Sequence, residues 1–458
     1  MNPDPKARQM ILGWLMNPCG THRASWMTFA GRPDPLTDID LFKAMAQEAE
    51  RAKFDFIFQA DWPSVRPGPP SHTARNVTYN VILEPISLMS TLAAVTSKIG
   101  VVATGSTTFS EPYTLARQFA SLDHISHGRA GWNIVTTRSP IASLNYGLTE
   151  EVPHADRYKR GEEFVDVTKG LWDSYEDDAI VRDTERGLYF DPDKLHVLNY
   201  KSEEFSVRGP LNISRPPQGN PVLFQAGASD IGMQLGARVG EVIFCLKDTI
   251  EAMQDYSRKV KEAAVQFGRS PDEVKVVCGF DIVVKKTAAE AKAAIAALDE
   301  MLHPDAIKDV VSADIEADIT HLDLDDLVTF DMLPEDANSS KSADAVIRGW
   351  LEEKPMTVRE IYNQFSRSRS AVGIHGDPMQ VADKLEEWFI SGATDGFMFF
   401  FPLASGMWDF NELVVPELQR RGLFRREYTG ETLRENLGLP RPVHSSKAES
   451  AHVERIGS

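Results

Sequence analysis

Short runs of β-branched and aromatic residues alternate along the chain with longer stretches whose apolar residues recur at helical spacing. Met10 to Leu15 reads as a first strand, and Asp38 to Lys53 as a helix with Leu41, Met45 and Ala49 on one face. The same alternation gives strands at Asp55 to Gln59, Ile99 to Ala103, Ala130 to Val135 and Val222 to Gln225. It continues with strands at Glu241 to Leu246, Val274 to Val284 and Asp395 to Phe401. Between them lie helical patterns at Pro85 to Ser97, Tyr113 to Ile125, Arg157 to Tyr175 and Ile231 to Val239. Thr249 to Phe267, Ala288 to Leu302, Gln380 to Ser391 and Asn411 to Arg421 follow. Eight strands separated by helices predict an α/β fold, a (β/α)8 TIM barrel with long insertions. A doubly wound open sheet would usually carry GxGxxG after its first strand, and none is present.

The expected organisation is a single domain over residues 1–440, with insertions at 176–220 and 303–376. Such insertions in barrels serve as lids or substrate walls, or as oligomer contacts. The polar residues 441–458 are expected to be a disordered tail.

Several strands end in polar residues: Asp61, Ser106 to Thr108, and Asn133 with Thr136 and Thr137. In a parallel barrel these ends converge on the mouth where ligands bind. Neutral hydrogen-bonding groups with one carboxylate suit a planar heteroaromatic ligand better than a proton-shuttling site. Each residue taken singly also fits ordinary strand termination. Ser229, after Gly227 and Ala228, opens a helix, so it reads as an N-cap or as part of a phosphate site. Trp14, Trp26, Phe29, Trp62 and Phe400 are available for an apolar substrate wall or for core packing.

Charge narrows the partners. Among 458 residues, 49 are basic and 67 acidic, a net charge of -18. That disfavours nucleic acid and anionic membrane surfaces. No run of about 18 apolar residues predicts a membrane span, and the N-terminus lacks a secretory h-region. The cysteines Cys19, Cys245 and Cys278 have neither metal-ligand spacing nor an even count, which points to a reducing cytoplasm. Neither HExxH nor GxSxG occurs, and no metal site is expected. His124 and His127 read as part of a helix-to-strand junction.

A series of short motifs runs in order through residues 10–440. They are Lys53-Phe54-Asp55 to Ala60-Asp61, Ser106-Thr107-Thr108 with Pro112-Tyr113, Leu122-Asp123-His124, Gly128 to Thr137, and Asn145-Tyr146-Gly147. His154 with Arg157-Tyr158, Leu171 to Ser174, Gln225-Ala226-Gly227 and Val414-Val415-Pro416 complete the set. In this order the chain resembles the bacterial-luciferase-like flavin-dependent monooxygenases, in the nitrilotriacetate and dibenzothiophene-sulfone monooxygenase branch. Long-chain alkane monooxygenase is a similar relative.

The resemblance implies a two-component monooxygenase that takes reduced FMN (FMNH2) from a separate NAD(P)H-dependent flavin reductase. With O2 it would oxidise a small heterocyclic, organosulfur or aminocarboxylate substrate through a flavin peroxide. Asp61, Thr107 and Asn133 would line the isoalloxazine, and Thr137 and Arg138 the flavin and the substrate mouth. Tyr158, His154 and the Gly227-Ala228-Ser229 turn would take the ribityl-phosphate end. Cys19 and His22 would face the reactive side, with His22 stabilising the peroxide. Arg138 is a departure, standing where relatives often have His or a neutral residue; it would hold an anionic substrate or pair with a carboxylate. Ile231 and Ala24 replace an Arg and a His of some relatives. Homodimers or homotetramers are the expected assemblies. The alternatives are an F420-type hydride-transfer oxidoreductase and a non-catalytic flavin-binding protein.

Overall fold

The computed structural model describes residues 8–29, 34–65, 74–75, 80–227, 229–334, 343–366 and 372–446. The strands of its large sheet are β1 (Ile11–Leu15), β2 (Phe56–Gln59), β3 (Gly100–Ser106), β4 (Ala130–Val135), β5 (Val222–Ala226), β6 (Val242–Cys245), β7 (Lys275–Val284), β8 (Gly373–Gly376) and β9 (Gly396–Phe400). β1 to β7 pair in sequence, β7 pairs with β9, and β9 closes onto β1; every pairing is parallel. The result is a closed eight-stranded (β/α)8 TIM barrel. β8 lies outside it, pairing only with the far half of β7 from Gly373 opposite Asp281 onward. The hydrophobic pattern did not reveal β8, which is too short and glycine-rich to stand out.

Helices α1 (Ile39–Arg51), α2 (Pro85–Ala93), α3 (Pro112–Ile125), α4 (His154–Trp172), α5 (Asp230–Val239), α6 (Ile250–Gln266), α7 (Ala288–Glu300), α8 (Pro304–Ile315), α9 (Ala343–Glu353) and α10 (Pro378–Ile390) follow the strands. Their starts are written in the sequence. The Asp38 carboxylate accepts from Asp40 N at 3.1 Å and Leu41 N at 3.2 Å. Thr287 and Glu290 form a reciprocal capping box at α7, as Asp377 and Gln380 do at α10. No described helix is long and apolar enough to cross a membrane.

Side-chain alternation sorts the strands into two cores. Leu12, Trp14, Ile57, Ala103, Trp132, Ile134, Leu223, Phe280 and Phe399 face outward and pack with the helices. Ile11, Phe56, Val102, Val222, Phe224, Val242, Val277 and Met398 fill the barrel. Leu433, Leu437 and Leu439 from the C-terminal segment join this inner core. Gly100 makes room for them: a Cβ there would lie 2.5 Å from Leu433 Cδ1. The barrel is thereby plugged at its N-terminal pole.

The most conspicuous motif of the sequence turns out to be structural at its start. Buried Arg129 donates to the carbonyls of Ala93, Thr96, Ile99 and Ser126 at 2.7–3.0 Å. It therefore satisfies chain ends after α2, where free carbonyls favour a cation. Buried Asp123 accepts from Ala130 N and from the Gln218 backbone and side chain. His124 Nε2 is spent on the Ser214 carbonyl at 3.1 Å.

The two insertions differ. Residues of 176–220 pack on the outer side of α4, with Phe205 edge-on to Phe164 at 5.7 Å and Arg215 paired to Asp173 and Asp177. The described part of 303–376 has a core of its own, including Ile307, Val311, Ile315, Val328, Ile347, Met356 and Tyr362. Leu302 packs against both this core and a cluster over the barrel mouth made by Ala24, Val283, Ala291, Ile295 and Leu298. Ala24 is fully buried in that cluster. The segment 441–446, expected to be disordered, is docked instead. Arg441 pairs with Asp177, and buried His444 bonds the Asp173 carbonyl at 2.9 Å. Residues 447–458 lie outside the described residues.

Candidate active site

β3 and β4 set the polar floor of the mouth. Thr104 and Asn133 are register partners and both point inward. Thr104 Oγ1 donates to the Gln59 carbonyl at 2.8 Å. That oxygen must therefore accept from Asn133 Nδ2, 2.9 Å away. The chain of bonds fixes the amide's orientation and leaves Asn133 Oδ1 as the acceptor open to a ligand.

The adjoining strand supplies an anion-ready end. Ser229 is the N-cap of α5, and its Oγ accepts from Gly232 N at 3.2 Å. Tyr256 Oη donates to the Gly227 carbonyl at 2.6 Å and pins the turn. A Cβ on Gly227 would come within 2.6 Å of the Gly232 backbone, and one on Gly232 within 2.9 Å of Tyr158 Oη. Tyr158 thus places its hydroxyl against the first turn of α5, while the His154 ring lies tilted beside it at 4.8 Å. Ile231 is exposed on that first turn, so the expected phosphate end relies on N–H groups and hydroxyls rather than on a cation at this position. Ala228 lies outside the described residues.

Asp61 lies across the mouth, its carboxylate accepting from Trp62 N at 2.9 Å. Burial pushes its pKa above the usual carboxylate range, the Trp62 N–H opposes this, and Glu84 adds to the rise. A ring stack roofs this side, Phe109 on Tyr146 at 4.6 Å.

Other expected residues fall elsewhere. Thr107 is fully buried and its Oγ1 is 3.3 Å from where a Gly161 Cβ would sit, so it faces α4 and not the mouth. Ser106, in step with Thr104, takes the inward position. Thr137 is buried just past β4. His22 commits both ring nitrogens to the protein: Nδ1 accepts from Ala24 N at 3.1 Å, and Nε2 lies 3.1 Å from Asp299 Oδ1 at the end of α7. With Nδ1 an acceptor, Nε2 carries the proton and donates to Asp299, leaving neither nitrogen to stabilise a peroxide. Its role here is to tie the loop after β1 to α7. Cys19 is fully buried, and burial pushes its thiol up to about 12, so it is not a poised thiolate. A thiol reagent near neutral pH is expected to label Cys19 only after denaturation, read by peptide mass mapping; rapid labelling of the folded protein would contradict this placement.

Arg138, just beyond Thr137, is held by two carboxylates. Its Nε lies 3.2 Å from Glu151 Oε1, and both Nη atoms lie 3.3 Å from Glu316 Oε1 of the 303–376 insertion. Glu151 Oε1 is also 3.2 Å from buried Arg157.

Trp14 packs outward in the core against Phe401 at 6.2 Å, whereas Phe400 faces the mouth beside Phe244 at 6.0 Å. Sequence reading passed over Phe58, Phe244 and Asp281. Alternation along their strands was the signal that places all three inward. Asp281 is buried, with His375 Nε2 at 4.0 Å on the neighbouring β8. Among the described residues no group of three or more His, Cys, Asp or Glu side chains is placed to hold a metal ion.

A parallel barrel whose mouth joins a free amide carbonyl and a fixed ring stack to a glycine-lined helix start is suited to a planar cofactor carrying a phosphate. Comparison with known proteins specifies that class. Residues 20–395 match the luciferase-like monooxygenase family model. The chain is similar to N-acetyl-S-(2-succino)cysteine monooxygenase of Bacillus subtilis (strain 168), 42% identical over 96% of this chain and 98% of that one. It is also similar to nitrilotriacetate monooxygenase component A of Aminobacter aminovorans, 41% identical over 96% and 98%. A solved riboflavin lyase with modified FMN and riboflavin superposes with a TM-score of 0.82 at 32% identity, covering 95% of this chain and 97% of that chain. The chain belongs to the luciferase-like monooxygenase family, and it is a flavin-dependent monooxygenase acting on an organic substrate.

Proposed function

We propose that the flavin is FMN, taken up in its reduced form from a separate NAD(P)H-dependent reductase in the cytoplasm, and that O2 and a small organic substrate meet it in the barrel mouth. One observation carries this reading. The open Asn133 Oδ1 on β4 and the α5 entry marked by Gly227 and Ser229, which follows the neighbouring strand β5, set an acceptor for a ring N–H and a helix start suited to a phosphate on adjoining strand ends. Solved riboflavin lyase holds a modified FMN, and the name "component A" implies a second protein for the Aminobacter relative.

When bound, reduced FMN supplies the electrons that activate O2 and deliver one oxygen atom to the substrate. The residues position and enclose. Asn133 Oδ1 would accept a ring N–H, and its own amide is held by Thr104. Ser229, the α5 N–H groups and Tyr158 Oη would take the phosphate; a site built without a cation at Ile231 suits a cofactor that arrives and leaves by diffusion. Asp61 and the Phe109–Tyr146 stack would bound the ring on the far side. Phe58, Phe244 and Phe400 would keep water from the substrate side.

The test is oxygen uptake. FMN, a flavin reductase, NAD(P)H and a carboxylated thioether or amine should give substrate-dependent consumption matched by oxidised product. Equal turnover in the absence of flavin or of oxygen would refute the proposal. Asn133→Leu is expected to weaken reduced-FMN binding by up to about tenfold, the worth of one net hydrogen bond, as measured by anaerobic fluorescence titration. Unchanged affinity would move the ring contact elsewhere.

A further inference from the structure

We propose that the Nη1/Nη2 edge of Arg138 is a carboxylate subsite for the substrate, and that Glu316 is its intramolecular placeholder. This rests on the mouth being the monooxygenase site. A guanidinium edge matched to a carboxylate makes two parallel bonds, one to each oxygen, at about 2.7–2.9 Å. Here a single oxygen, Glu316 Oε1, lies 3.3 Å from both Nη atoms. The edge is occupied but under-filled. The other face of the guanidinium is fixed independently, since Nε is held by Glu151, itself shared with Arg157. Arg138 can therefore exchange its outer partner without losing its position.

Glu316 is suited to leave. Its side chain is 25% exposed and that of Arg138 is 32% exposed, so neither ion is stranded in a dry interior when they part. Glu316 ends α8 with φ of 55°, a left-handed conformation that a non-glycine residue adopts at a cost. A substrate carboxylate offering two oxygens would form the stronger contact and free the end of α8, so that the 303–376 insertion reports the substrate's charge.

The test is calorimetric titration of the FMN-loaded full chain with succinate, using dimethyl succinate as the uncharged control. Glu316→Gln keeps the shape and removes the competing charge. It should bind succinate about two- to fivefold tighter, as expected for release from a partly exposed ion pair. Arg138→Gln should weaken succinate about tenfold or more, and Arg138→Lys, which keeps charge without the fork, should fall between that and the wild type. No variant should change the response to dimethyl succinate. Succinate affinity that is equal in the wild type and Glu316→Gln, or undetectable in both, overturns the proposal. So does a lower unfolding temperature in Glu316→Gln with no change in affinity, which would assign the pair to stability alone. Failure of the monooxygenase reading would be seen separately, as no substrate-dependent oxygen uptake by the wild type.

Discussion

Arg434→Ala is expected to lower the unfolding free energy by about 3–5 kcal/mol, the cost of removing one partner from a buried ion pair. Arg434 is almost fully buried at the plugged pole of the barrel. It pairs with both oxygens of Glu241, just before β6, one of them at 3.0 Å from Nη2. It also donates to the carbonyls of Asn220 at 3.2 Å and Pro440 at 3.0 Å. Its own N–H goes to Gln218 Oε1 at 3.0 Å. One guanidinium therefore ties the starts of β5 and β6 to the segment that carries Leu433, Leu437 and Leu439. Alanine leaves the Glu241 carboxylate facing orphaned carbonyls. Replacing both partners by leucine should recover much of the loss, because the desolvated charge then disappears with its partner. Urea unfolding of the single and double variants measures this; a single variant within 1 kcal/mol of wild type would contradict it.

Gly227→Ala is expected to be the most damaging change of one methyl group at the mouth. The new Cβ would lie 2.6–2.7 Å from the backbone of Gly232, and backbone cannot rotate aside as a side chain can. The start of α5 must shift, at a cost of about 1–3 kcal/mol for overpacking. The shift moves Ser229 and the α5 N–H groups together. Displacing a positioning element by about 1 Å costs on the order of 10²-fold in turnover. Reduced-FMN affinity and substrate-dependent oxygen uptake should therefore fall together. Gly349→Ala on α9, where a Cβ would meet nothing within 4 Å, is the control. It should leave both measurements unchanged. Wild-type flavin affinity in Gly227→Ala would separate this turn from the cofactor site.

The barrel was legible because its periods are local. Each of the eight barrel strands declares itself by a compact apolar run, and the helices between them by their own apolar stripes, whereas α8 inside the 303–376 insertion did not stand out. Asn133 was legible for the same reason, since alternation from Gly131 to Val135 points it inward. Thr107 was misplaced. Thr104 and Ser106 face inward, so the same alternation turns Thr107 outward toward α4; it was the resemblance, not the strand period, that set Thr107 at the flavin. Cys19 and His22 were placed correctly after β1, but their chemistry depends on what covers them. His22 meets Asp299, 277 positions away, and Arg138 meets Glu316, 178 positions away.

Sequence alone thus determined the eight barrel strands, the helices between them, the strand ends that form the mouth and the family to which they belong. Tertiary structure decided which of those polar ends are free and which are spent. Side-chain period is set by neighbours in the chain, within a few residues. The partner that neutralises an arginine or occupies a histidine is set by which loops the closed barrel brings to one pole, and no local pattern records that.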